Sequence, residues 1–180
     1  GVLEAERLKR AVDRLESAER LQRALFAIAD MASSDLDMPE MLRGVHGIVG
    51  SLMYAENFFI VLHDAKRATV RFIYFADVVD KIQPDPEEEI PTAGMENSLT
   101  LALIRRGRSM MGPSPTLRAE NLVARDERLG PDSEDWLGVP MVAGSEVRGA
   151  IVVQSYDRSV RYTEEDRALL GYVAQHILTA

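Results

Sequence analysis

The stretch WLGVPMVAGSEVRGAIVVQSY, Trp136 to Tyr156, limits the fold most tightly. It holds two alternating apolar runs, 136–143 and 147–156, separated by Gly144-Ser145. A Gly-X connection between such runs is the chemistry of a type II′ hairpin, because glycine supplies a positive φ without a Cβ clash. The polar segment DRSVRY follows, and then Thr163 with Glu164, Glu165 and Asp166 behind it. Thr163 is placed to cap a helix, and Asp166 stands where the reciprocal acid of a capping box belongs. Acids also favour the positive end of a helix. Leu170, Val173, Ala174 and Ile177 then recur on one helical face. The unit reads as hairpin, loop and amphipathic helix, and the chain upstream has to supply the rest of the sheet and a partner helix.

Residues 2–33 contain neither glycine nor proline and read as one long helix. A heptad places Leu8, Leu15, Gln22 and Ala29 at one core position and Ala11, Ala18, Leu25 and Ala32 at the other. Val12, Leu21, Phe26 and Ile28 widen the stripe beyond a strict seam. The expectation is a mixed helix, its first half a dimer-forming coiled coil and its second half packed on the domain. That makes residues 1–34 a signalling helix and 35–180 a domain, with a homodimer formed through the Leu8–Ala32 helix. A monomeric surface helix is the plainer alternative.

The segment SSDLDMP breaks the helix, and Asp37 caps a second one with Pro39 in its first turn, where a missing N–H costs little. That helix is expected to run to about Tyr54, with Gly44, Gly47 and Gly50 three apart to admit another backbone. NFFIVLH (57–63) and TVRFIYFAD (69–77) are strand-like, joined by DAKRA. Phe58, Ile60 and Leu62 alternate against Phe59, Val61 and His63, so both faces of the first strand are apolar and it lies between two layers. Residues 78–96 carry three prolines and an acidic cluster and read as a long solvated loop, without the spacing of a calcium-binding loop. Asn97 or Ser98 caps a short helix that ends at Gly107. Residues 108–112 form a brief strand, and 113–133 are irregular with a helix around 116–128. The whole is α+β.

Composition narrows the function. With 46% hydrophobic and 28% charged residues the chain is an ordinary folded one. Its 29 acids against 21 bases, net charge −8, argue against nucleic acid and against anionic membrane surfaces. No apolar run approaches the roughly 20 residues of a membrane span. There is no cysteine, which excludes disulfides, thiolate nucleophiles and thiolate zinc sites. The cytoplasm is the default compartment, and both ends lie inside helical patterns, as expected of a piece of a longer chain. His46, His63 and His176 have no second metal-type ligand at helical spacing, and no catalytic motif is present. Asp77 is the polar residue of most interest, since it ends the aromatic strand and opens the long loop.

Taken together, four stretches resemble the GAF domain family. They are NFFIVLHD with the aromatic strand ending in Asp77; SLTLALIRRGRSM (98–110); WLGVPM with the Gly144 turn and RGAIVV; and YTEED leading to Leu169, Leu170 and Ala174. The match covers 35–180. It implies a central antiparallel sheet of five or six strands with the N- and C-terminal helices on one face. The other face, the short helix and the loops 78–96 and 113–133 would enclose a small-molecule pocket. Alternation and family placement give Phe59, Val61, Tyr74, Asp77, Leu99 and Leu103 as candidate ligand-binding residues. The resemblance also implies a dimeric bacterial regulator joined to an output domain such as a diguanylate cyclase, a phosphodiesterase or a histidine kinase.

The sequence departs from several members of that family. The signature of the cyclic-nucleotide-binding members is not visible. Without cysteine, the bilin-linked type and the cysteine-dependent methionine-sulfoxide-reducing type do not apply. Haem is disfavoured for want of a ligand set, and the ligand remains unknown. A sensory, non-catalytic module is the first reading. A ligand-free dimerisation module is the alternative, and an enzyme ranks third.

Overall fold

The computed structural model describes all residues, Gly1–Ala180. Its centre is a six-stranded antiparallel sheet in the order β3-β2-β1-β6-β5-β4. The strands are β1 (Asn57–Asp64), β2 (Thr69–Ala76), β3 (Ile90–Pro91), β4 (Met110–Gly112), β5 (Asp135–Ala143) and β6 (Glu146–Ser155). The helices are α1 (Val2–Ala32), α2 (Met38–Gly50), α3 (Leu99–Arg106), α4 (Ser114–Asn121) and α5 (Glu164–Thr179). The fold class is α+β, as read from the sequence.

β1 is central and buried on both sides, with every residue from Asn57 to Val61 enclosed. Phe58 and Ile60 meet the α1, α2 and α5 layer, while Phe59 and Val61 meet the α3 and α4 side. β1 approaches β6 so closely that Gly149, opposite Leu62, has no room for a Cβ against the Val61 carbonyl. The β5–β6 hairpin turns at Gly144, whose φ is 64°. Pro140 is accommodated because β4 ends opposite Gly138, leaving the outer edge of β5 unpaired beyond it.

α5 begins as its sequence dictates: Asp166 N–H donates to Thr163 Oγ1 at 3.2 Å, and Thr163 N–H donates to Asp166 Oδ2 at 2.9 Å. Two buried polar residues anchor the approaches to the sheet. Asn57 donates to the Gln154 carbonyl at 3.0 Å and accepts from Val78 N–H at 2.7 Å. Asp135 accepts from Tyr162 N–H at 2.7 Å, and the Tyr162 hydroxyl donates to the Tyr54 carbonyl at 2.8 Å. Pairing buried polar groups in this way avoids a penalty of about 1–3 kcal/mol for each one left unsatisfied.

α1 and α5 run side by side in the same direction. Arg14, Ser17, Ala18 and Leu21 share a groove with Glu165, Asp166 and Leu169, and the Tyr172 hydroxyl donates to the Leu25 carbonyl at 3.2 Å. Within α1 only Ala24 and Ile28 are fully buried, so packing on the domain starts in the second half of the helix. Leu3, Leu8 and Leu15 are exposed by 67–68%. No helix is long and apolar enough to cross a membrane.

Several local expectations need correction. α2 stops at Gly50 and gives way to a turn at 51–53, short of Tyr54. Of its three spaced glycines only Gly44 is approached, by the Met31 side chain. Gly47 and Gly50 face solvent with nothing near a would-be Cβ. The 78–96 segment is not loop throughout, because Ile90-Pro91 pairs with Val70-Thr69 and a single 3-10 turn follows at Thr92–Gly94. α4 starts and ends earlier than 116–128, stopped where Leu122 takes a φ of 57°.

Candidate functional site

Opposite the long helices lies a cleft of about 540 Å³, within the usual range for small-molecule sites. Its floor is aromatic. Phe59, Phe72 and Phe75 form a triangle with ring centroids 5.7, 6.0 and 6.1 Å apart, and Trp136 lies beside them. A break in strand register puts Phe72 and Phe75 there. Ile60 pairs with Tyr74 and Val61 with Phe72, so Ile73 is an extra residue in β2. Such a bulge turns two successive side chains to one side. Ile73 and Tyr74 go to the helical layer, and the residues flanking them face the cleft.

Trp136 depends on Gly138. A Cβ there would lie 2.5 Å from the Trp136 ring and 2.7 Å from Leu103 Cδ1, so the indole folds back over its own strand only because that position is bare. The walls come from α3, through Ser98, Leu99 and Thr100, and from Ser114 at the start of α4. Ser98 caps α3 by accepting from Leu101 N–H at 3.3 Å. Ser114 and Ser133 are buried and hydrogen-bond to each other through their hydroxyls. Arg118 ties α4 to the segment that follows it and to the turn before α3: it donates to Asp132 at 3.0 Å, to the Ala124 carbonyl at 3.1 Å and to the Asn97 carbonyl at 2.8 Å. At the rim, two hydrogen bonds from the Arg128 side chain and one from its N–H hold the half-buried Asp126 carboxyl down to about 2.

The six sequence candidates divide three ways. Phe59, Asp77 and Leu99 line the cleft. Val61 and Leu103 are fully buried beneath it, in the same apolar cluster. Tyr74 is on the opposite face, carried there by the Ile73 bulge that strict alternation does not foresee. Its hydroxyl is 2.6 Å from His46 Nδ1, and its ring packs edge-on against Phe58 and His46. His46 Nε2 meets the Ala55 carbonyl, which can only accept, so that nitrogen carries the proton and Nδ1 accepts from Tyr74.

Asp77 ends β2 and folds the next turn around itself. Its Oδ1 accepts from Val79 N–H at 2.7 Å and Asp80 N–H at 2.8 Å, and its Oδ2 accepts from the Tyr156 hydroxyl at 3.3 Å. Burial, and then the negative charge of Asp77, raise the Tyr156 phenol far above its ordinary value and hold it protonated as the donor. Tyr156, Gln154 and Trp136 were not among the candidates. All were readable, because Gln154 and Tyr156 continue the every-second-residue face of Ala150 and Val152, and Trp136 pairs with Gln154.

No histidine lines the cleft, the two buried serines engage each other, and Asp77 is committed to hydrogen bonds within the protein. No three His, Asp or Glu side chains converge as a metal ion would require. Another groove, of about 580 Å³, runs past His63 but is walled by Arg67, Arg71, Arg148, Glu87 and Glu89 and has no aromatic floor.

No curated protein sequence matches the chain. Solved structures do. The GAF domain of a phosphoenolpyruvate-protein phosphotransferase from Coxiella burnetii superposes with a TM-score of 0.68 at 16% identity, covering 90% of this chain and 92% of that one. The corresponding domain from Acinetobacter gives 0.64 at 16% identity, with 89% of each chain covered. The GAF domain of a two-component sensor histidine kinase from Bacillus halodurans gives 0.57 at 12%, covering 79% of this chain and 95% of that one. At such identities the likeness concerns the fold. The model of the GAF domain matches residues 35–180, which span α2 through α5 and every wall of the cleft, and the chain therefore belongs to the GAF domain family.

Proposed function

We propose that this chain is a non-catalytic, small-molecule-sensing and dimerisation module of a bacterial multidomain signalling protein in the cytoplasm. It acts on a covalently linked output domain of the diguanylate cyclase, phosphodiesterase or histidine kinase kind. One observation carries the reading: the aromatic cleft and the α1–α5 layer are the two faces of a single sheet whose central strand is buried on both. Phe59 meets the cleft while its neighbours Phe58 and Ile60 meet the helices. A ligand that stabilises one arrangement of α3, α4 and the loops 77–80 and 128–133 biases β1 and β6, and through them α5. That is a population shift between two states, driven by differential affinity. One structural relative is the GAF domain of a two-component sensor histidine kinase, which supports the signalling context. Dimerisation through the Leu8–Ala32 helix would couple two such modules.

Trp136 is the only tryptophan and lies in the cleft, so its fluorescence reports occupancy directly. Titration with fractionated small-molecule extract of the host should give one fraction that changes Trp136 emission saturably. An emission unaffected by every fraction, from protein that remains dimeric, would replace the sensor by a ligand-free dimerisation module.

A further inference from the structure

The exposed first half of α1, which meets α5 only along the Arg14–Ser17–Ala18 edge, carries its own instructions for a partner. With Leu8 at heptad position a, the seam is Leu8, Ala11, Leu15, Ala18 and Gln22. Leu8 and Leu15 are two-thirds exposed, and nothing within the chain covers them. The positions flanking the seam are Arg7 and Arg14 at g, and Val12 and Glu19 at e. In a parallel pair each g residue faces the e residue of the next heptad of the other helix, so Arg14 faces Glu19 on both sides of the seam. In an antiparallel pair g faces g, and the two arginines of one helix meet those of the other, a like-charge juxtaposition. Gln22 adds register. It is an exposed polar residue at an a position, and a lone polar residue there is satisfied when it meets its own copy at the same level. Arg14 has no ion-pair partner within the chain; Glu19 has only an exposed one, to Arg23 at 3.9 Å.

We infer that α1 docks on α1 of a second copy, parallel and in register, with Arg14 of each chain against Glu19 of the other. The inference rests on the homodimer proposed above and adds its orientation. The orientation has a consequence for signalling. Because α5 runs in the same direction as α1, a parallel pair sends both α5 ends out on the same side, next to each other. An antiparallel pair would send them to opposite ends.

The chain contains no cysteine, so single cysteines report geometry without background. Leu8→Cys, Leu15→Cys and Gln22→Cys are oxidised separately and run without reductant, with Asp13→Cys on the outer face as control. All three seam variants should form disulfide-linked dimers, and the control should not. Cross-linking at only one of the three positions means an antiparallel crossing and overturns the inference while leaving the dimer intact. Cross-linking at none, with a monomer in sedimentation of the unmodified chain, overturns the dimer itself. Charge reversal is the second arm. Arg14→Glu or Glu19→Arg should each weaken the dimer roughly tenfold, given two equivalent pairs turned from attraction to repulsion. The double reversal should restore it, and a double variant as weak as either single one overturns the pairing.

Discussion

Two glycines show how much of this domain depends on single bare positions. At Gly149 the obstacle to a side chain is the Val61 carbonyl, part of the β1–β6 ladder, which cannot step aside without breaking the sheet. At Gly138 the obstacles are the Trp136 ring and Leu103 Cδ1, side chains that can shift. Gly138→Ala should therefore cost about 1–3 kcal/mol, as overpacking does, and alter Trp136 emission. Gly149→Ala should cost more and abolish cooperative folding. Equal losses in chemical denaturation would contradict this ordering. The tyrosines supply a pH test. Burial is the largest cause raising the phenols of Tyr54, Tyr74, Tyr156 and Tyr162 above their ordinary value, and Asp135 adds to it at Tyr162. An unfolded chain ionises these groups near pH ~10. Their stabilisation is thus complete below about pH 10 and is lost as pH rises toward the raised folded values. Denaturation midpoints should be flat from neutral pH up to that point and then fall. Tyr156→Phe should fall less steeply, and an unchanged slope in that variant would exclude Tyr156 as a contributor.

At the scale of elements, local chemistry sets the helix ends and tertiary pairing sets the rest. Thr163→Ala removes a reciprocal cap from α5 and should cost about 1 kcal/mol. Gly47→Ala, in mid-helix with open space around it, should stabilise by roughly 0.5–1 kcal/mol. Opposite signs in the two denaturation curves are the check. The caps at Asp37 and Thr163 were legible because a polar side chain before an apolar helix says where the helix starts, whereas the adjacent Asn97 and Ser98 could each have capped α3 and the structure uses Ser98. Phe59 and Leu99 were legible as cleft residues from alternation and helical position. Tyr74 was not, because one inserted residue, Ile73, inverts the faces downstream and leaves no mark in the composition. β3 was hidden for a different reason. Two residues in an acidic, proline-bearing segment become a strand only because the edge of β2 is there to pair with them. The end of α4 was equally silent, since a leucine at a φ of 57° is a conformation the residue type does not announce.

For the whole molecule, the sheet divides two tasks. One face holds the aromatic cleft, and the other holds two parallel helices that enter and leave the domain. Truncation of residues 1–18 removes only exposed or half-buried helix and should leave the domain folded with nearly unchanged thermal stability, but monomeric. If the chain senses a small molecule as proposed, the cleft is occupied in the cell and the dimer carries its occupant. Native mass spectrometry of the protein purified from its own host tests this most directly. The expected spectrum is a dimer mass with one small molecule per chain. The added mass should be lost in Gln154→Trp, which fills the cleft without removing a side-chain hydrogen bond, while the dimer persists. A dimer of bare chains, or an added mass retained when the cleft is filled, would contradict it.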